Sequence, residues 1–87
     1  MPSKTVVLQN EHGLHARPAA IFVKAAAAHA CTIQVSKADK EANAKSMLSV
    51  LTLECHSGDE IVISAEGEGA QAALDDLVSL VERGLGE

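Results

Sequence analysis

The sequence predicts an α+β fold of two layers, a four-stranded antiparallel sheet with three helices on one face, in the order β-α-β-β-α-β-α. Three observations predict it. Segments of β-branched or period-two patterning alternate with segments that carry a single apolar stripe. One stripe per helix and one apolar face per strand can be buried only against a second layer. And 87 residues suffice for one domain and no more, so both layers belong to one unit over residues 1–87.

Thr5–Leu8 is a short β-branched run and reads as the first strand. Residues 9–14 are mainly polar and contain Gly13, so they form a loop. Pro18 then sits where a helix begins, because its fixed φ and missing N–H suit a first turn. Ala19, Phe22, Val23, Ala26 and Ala30 recur at helical spacing, which predicts a helix over 16–29 with Ala20 and Lys24 facing outward. Thr32 to Ser36 alternates with period two and reads as a half-buried strand. Residues 37–40 form a turn, and Glu41 to Ala44 a short edge strand. Ser46 is placed as an N-cap, followed by a short helix that ends before Gly58. Glu60 to Ala65 is a further strand, with Ile61 and Ile63 on one face. From Ala70 to Arg83, Leu74, Leu77, Val78 and Val81 share one stripe, and Gly84 stops the helix.

Composition excludes several functions. Seven Lys+Arg against 12 Asp+Glu give a net charge of -5, the wrong sign for non-specific binding to nucleic acid or anionic lipid. Phe22 is the only aromatic residue, so a base-stacking platform has no parts. No apolar run approaches the roughly 18 residues of a membrane span, and no leader pattern precedes Thr5. Cys31 and Cys55 form no C-x-x-C and read as small buried hydrophobes kept reduced, which fits a cytoplasmic location.

The segment with chemistry is Gly13-Leu14-His15-Ala16-Arg17-Pro18-Ala19. His15 falls just before the first helical turn. The orphan N–H groups of Ala16 and Arg17 face whatever the ring carries, since Pro18 has none. The positive helix end favours a neutral, nucleophilic imidazole, and then an anion attached to it. Arg17 adds a permanent charge and a donor fork suited to phosphate oxygens. These are the parts of a phosphohistidine site. On the residues alone, an ordinary surface histidine beside a helix start is an equally good reading.

The run His15 to Ala19, preceded by Gly13-Leu14, resembles the active-site signature of the HPr family, the histidine-containing phosphocarriers of the bacterial phosphoenolpyruvate-dependent sugar phosphotransferase system. Lys45-Ser46-Met47-Leu48 resembles the family's second signature, and the element order agrees over the whole chain. The resemblance implies an open-faced sandwich of four strands and three helices. It implies that His15 accepts a phosphoryl group on Nδ1 from enzyme I and passes it to sugar-specific IIA domains, with Arg17 assisting. It implies a covalent carrier without turnover of its own, with no metal and no cofactor. A regulatory or nitrogen-type paralogue is the alternative within the fold.

By the same resemblance Ala20, Lys24, Met47, Leu48 and Leu51 dock partners, with Val50 and Leu53 left for the core. Ala27 and Ser49 stand where some relatives carry lysines, so the basic rim is thinner here. Ser46 is an N-cap on its residues alone. In part of the family the matching serine is phosphorylated by an HPr kinase/phosphorylase. A metal pair at His12 and His15 is the rival from another class, but it lacks further ligands at closed-site spacing. His29, His56 and the Asp75-Asp76 pair read as solvated residues.

Overall fold

In the computed structural model, which describes residues 2–86, four strands form one antiparallel sheet. They are β1 (Ser3–Val7), β2 (Thr32–Lys37), β3 (Lys40–Asn43) and β4 (Glu60–Glu66), in the spatial order β1-β4-β2-β3. The helices are α1 (Ala16–Ala27), α2 (Met47–Thr52) and α3 (Ala70–Glu82). Element order and the two-layer, open-faced arrangement are those the sequence predicts. Met1 and Glu87, the ends of the expected 1–87 unit, lie outside the described residues.

Register follows burial. Val6 is paired with Ile61, Val35 with Ile63 and with Ala42, and Ile33 with Ala65. All seven are buried on the helix-facing side. A slip of one residue would turn this aliphatic set to water, so the pleat specifies the pairing. Thr5, Val62 and Ser36 line up on the other, open face. Phe22 of α1 is fully buried, as are Leu77 and Val81 of α3, and Val50 of α2 joins them.

Several boundaries moved. β1 begins at Ser3 and β4 runs on to Glu66, because Ser64 pairs with Ser3 and Thr32 with Glu66. Leu8 leaves the strand but stays buried. β3 lies one residue earlier than expected, and Ala44 instead sends its N–H to the Ile33 carbonyl beyond the hairpin. Residue 37 is a strand residue, paired across the turn with Lys40.

α1 stops at Ala27, short of the expected residue 29, and Ala30 is exposed. The N–H groups of Ala28 and His29 fold back onto the carbonyls of Ala25 and Ala26. The Lys45 ammonium donates to the His29 carbonyl, and the His29 ring lies 2.8 Å from the Asp76 carboxylate on α3. His29 is therefore a tie between helices, and neither it nor Asp76 is simply solvated. α3 ends in a Schellman motif: the Leu85 N–H bonds to the Leu80 carbonyl and that of Gly84 to Val81, with Leu85 buried.

With no second aromatic, Phe22 carries a disproportionate share of core volume. Phe22→Ala should cost about 3–5 kcal/mol. Since ~1 kcal/mol moves Tm by about 4–8 °C in a domain this size, thermal melts followed by circular dichroism should fall by roughly 12 °C or more.

Candidate functional site

Two loops meet at one end of the sheet, the segment before α1 and the segment between α2 and β4. Backbone hydrogen bonds clip them together. The Leu8 N–H donates to the Asp59 carbonyl at 2.9 Å, the Gly58 N–H to Leu8 at 2.8 Å, and the Leu14 N–H to Cys55 at 3.1 Å. Asn10, itself buried, closes the first loop from within by donating Nδ2 to the Gly13 carbonyl at 2.8 Å. Gly13 has φ +61°, and a Cβ there would lie 2.5 Å from the Cys55 carbonyl oxygen and 2.7 Å from His56 Cα. Only glycine allows the backbones to approach so closely. Leu14 and Cys55 then seal the core beneath. Burial pushes the Cys55 thiol up, which keeps it an inert hydrophobe at neutral pH.

His15 stands directly above this clip as the N-cap of α1, in an extended conformation and exposed. Its side chain makes no capping hydrogen bond, so the ring is not tied to the helix it precedes. The first helical bond runs from the Ala19 N–H to the His15 carbonyl at 3.2 Å. The helix therefore begins with N–H groups of Ala16 and Arg17 that have no carbonyl partner in the turn. Ala16 has φ +31°, on the left-handed side, where a residue with a Cβ is strained by about 1–2 kcal/mol. The Leu14 clip below and the fixed φ of buried Pro18 above hold it there. His12, His15, Ala16, Arg17 and Pro18 line an open hollow of about 310 Å³. An exposed imidazole, a guanidinium and a helix N-terminus thus share one solvent-facing space, an arrangement suited to holding a small anion beside a nucleophile.

The remaining predicted residues lie on α1 and α2, outside the lining of this hollow. Ala20 and Lys24 are exposed on α1. On α2, Leu48 is 76% exposed and Leu51 37%, whereas Met47 is half-buried and packs partly on the core. Ser46 caps α2, its Oγ accepting from the Ser49 N–H at 3.3 Å. His12 and His15 do share the hollow, but among the described residues no three His, Cys, Asp or Glu side chains gather closely enough to hold a metal ion.

Sequence reasoning missed His56. Its ring lies against that of His15, with centroids 5.2 Å apart and planes tilted by 52°. It is not merely solvated. Its backbone N–H donates to Asp59 Oδ2 at 2.8 Å, and Lys37 Nζ reaches the same oxygen at 3.0 Å and the Glu54 carbonyl at 2.8 Å. The His56 N–H and the Lys37 ammonium together hold the Asp59 carboxyl below its usual range. A depressed carboxylate contributes stability above its unfolded value and loses it as pH falls through the folded one, so this tie weakens only on acidification past the range of a free aspartate. No sequence signal joins residues 15 and 56. The glycine at 13 was the nearest clue, since it marks a close backbone approach without naming the partner.

The chain belongs to the HPr family: the family profile described as "PTS HPr component phosphorylation site" matches residues 2–83. It is 53% identical over 76 residues to a phosphocarrier protein HPr of Streptomyces coelicolor, covering 86% of this chain and 82% of that one. It is 44% identical over 81 residues to HPr of Haemophilus influenzae, covering 93% and 95%. The crystal structure of HPr-C-His from Thermoanaerobacter tengcongensis superposes with a TM-score of 0.97 at 40% identity, covering 100% of this chain and 98% of that one.

The clip is testable against a glycine that has room. Gly58 also has a left-handed φ, +90°, but a Cβ there meets nothing within 4 Å. Gly58→Ala should cost about 1 kcal/mol from backbone strain, and Gly13→Ala more than about 2 kcal/mol because the two loops must part. Urea unfolding measures both. Equal costs would show that the close approach does not hold the loops.

Proposed function

We propose that the chain is a relay in which His15 accepts a phosphoryl group from enzyme I of the phosphotransferase system and passes it to sugar-specific IIA domains. What carries this reading is the exposed His15 ring at the start of α1, in one hollow with Arg17 and the N–H groups of Ala16 and Arg17. The Nδ1 lone pair forms the new N–P bond as the N–P bond on the donor histidine breaks and its electron pair returns to that ring. The phosphoryl oxygens meet the Ala16 and Arg17 N–H groups, the helix end and the Arg17 fork, so charge is met where it accumulates. A second, reverse exchange hands the group to a IIA domain. The chain leaves unchanged and has no turnover of its own, and the scheme needs no metal or organic cofactor. We place it in the cytoplasm, where free cysteines such as buried Cys31 and Cys55 remain thiols. One domain over residues 1–87 suffices.

Incubation with enzyme I and labelled phosphoenolpyruvate should give an acid-labile, base-stable label. His15→Ala should abolish it with the fold intact, and His12→Ala should retain it. Arg17→Ala should slow transfer by about 10²-fold, the usual effect of losing one key donor, and Arg17→Lys by much less. Full labelling of the His15→Ala protein would refute the site.

Docking is assigned to Ala20 and Lys24 of α1 with Met47, Leu48 and Leu51 of α2. The exposed leucines of α2 support this, because large apolar side chains left in water are suited to burial by a partner. Ser46, at the edge of that patch, is assigned as a regulatory site for an HPr kinase/phosphorylase. Phosphate there adds roughly -1.5 to -2 charge at pH 7. A negative charge at the start of α2 suits the helix end but not an apolar interface. Ser46→Asp should therefore leave Tm level or raised while slowing phosphorylation by enzyme I. Leu48→Asp should weaken enzyme I binding with its circular dichroism spectrum unchanged. A Ser46→Asp protein that accepts phosphate at the parent's rate would reduce Ser46 to a cap.

A further inference from the structure

The hollow around His15 leaves one question open: what holds the imidazole still. The side chain makes no capping hydrogen bond, and the ring is exposed. The residues that line the hollow with it are His12, Ala16, Arg17 and Pro18; His56 is not among them. Yet the His56 ring meets the His15 ring, at 5.2 Å between centroids and a 52° tilt, within the range in which tilted aromatic pairs attract. The His56 ring therefore packs on the His15 ring from another segment of the chain.

His56 is also held in place. Asp59 accepts its backbone N–H, Lys37 from the end of β2 pairs with Asp59 and caps the Glu54 carbonyl, and Gly13 lies against His56 Cα. The His56 ring is further steered by Asp59, whose Oδ2 lies 3.7 Å from its Nδ1. The position of one exposed imidazole is thus set by three segments of chain, and that imidazole rests against the other. The loop 54–59 is more than a support for the core.

We propose that His56 is a positioning residue for phosphoryl transfer. By ring packing it restricts the His15 imidazole to the orientation that presents its lone pair to the hollow. This rests on the reading of His15 as the acceptor. A ring held ready reacts faster than one that must first be found among rotamers. The role is assigned to the ring face and edge, because the contact between the two side chains is one of ring on ring. With its side chain 63% exposed, His56 contributes little to the core, so its replacement can be read in transfer rather than in folding.

The test uses His56→Ala and His56→Phe in the full chain, with enzyme I, labelled phosphoenolpyruvate and the His15→Ala protein alongside. His56→Ala should keep the parent's Tm and lower the maximal rate of His15 labelling by roughly 2- to 10-fold, the weight of one aromatic pair. The carrier concentration at half-maximal rate should stay unchanged, since the exposed leucines of α2 are untouched. Three-bond couplings across the His15 χ1 angle should become more averaged in His56→Ala. His56→Phe keeps a ring and loses both nitrogens, and it should restore both the rate and the coupling pattern. A His56→Ala protein that labels at the parent's rate overturns the inference. So does a His56→Phe protein as slow as His56→Ala, which would make His56 a hydrogen-bond donor instead. Labelling of the His15→Ala protein would fail the acceptor reading itself, a result separate from either.

Discussion

The close approach of Gly13 to the Cys55–His56 backbone is the constraint on which the rest of the site depends. It lets the Leu14 N–H reach the Cys55 carbonyl, and so fixes the residue before His15 to a loop from the other half of the chain. Leu14 and Cys55 are buried by the same contact, so its stability derives from the core. His15 then has nowhere to lie but above the clip, and Ala16 is forced to a positive φ between a clipped residue and a proline. Ala16 is held at its positive φ between that clip and Pro18, and His15 stands exposed beside both.

The electrostatics of the site run against the charge of the whole. The chain carries a net charge of -5, but Arg17 lines the hollow, Lys24 lies exposed further along α1, and Lys37 is tied to the loop behind it. The helix end adds positive potential where two N–H groups lack partners. A local positive field in an acidic molecule allows a phosphoryl group to be held without making the surface adhesive to polyanions in general. Beside this thin set of basic groups, α2 presents exposed apolar side chains, with Leu48 the most exposed of them.

Anchoring differs from element to element. The sheet and α3 bury a continuous aliphatic layer around Phe22, whereas α2 is a six-residue helix held by a serine cap and by Val50 and Leu53 beneath it. A helix this short has little stability of its own and depends on its buried residues. That leaves the outer face of α2 free to carry Leu48 and Leu51, because the inner face alone anchors it.

Much of this was legible in the residues. The strand and helix order, the aliphatic core face of each element, the Ser46 cap and the grouping of His15 with Arg17 at a helix start all follow from local patterning, where near neighbours in sequence decide the outcome. The ends of β1, β4 and α1 did not, because they are set by partners: Ser64 across from Ser3, Glu66 across from Thr32, and Asp76 and Lys45 against His29. The same reason hid His56 and the Lys37–Asp59 tie behind it. Periodicity and capping report on a chain's own turn or pleat, whereas contact between residues 15 and 56 exists only once the sheet has brought β2, β4 and the start of α1 to one end of the molecule. Local patterning names the residues with chemistry to offer; which of them stand together depends on burial of the whole aliphatic layer, which brings the loops to one end where Gly13 lets them close.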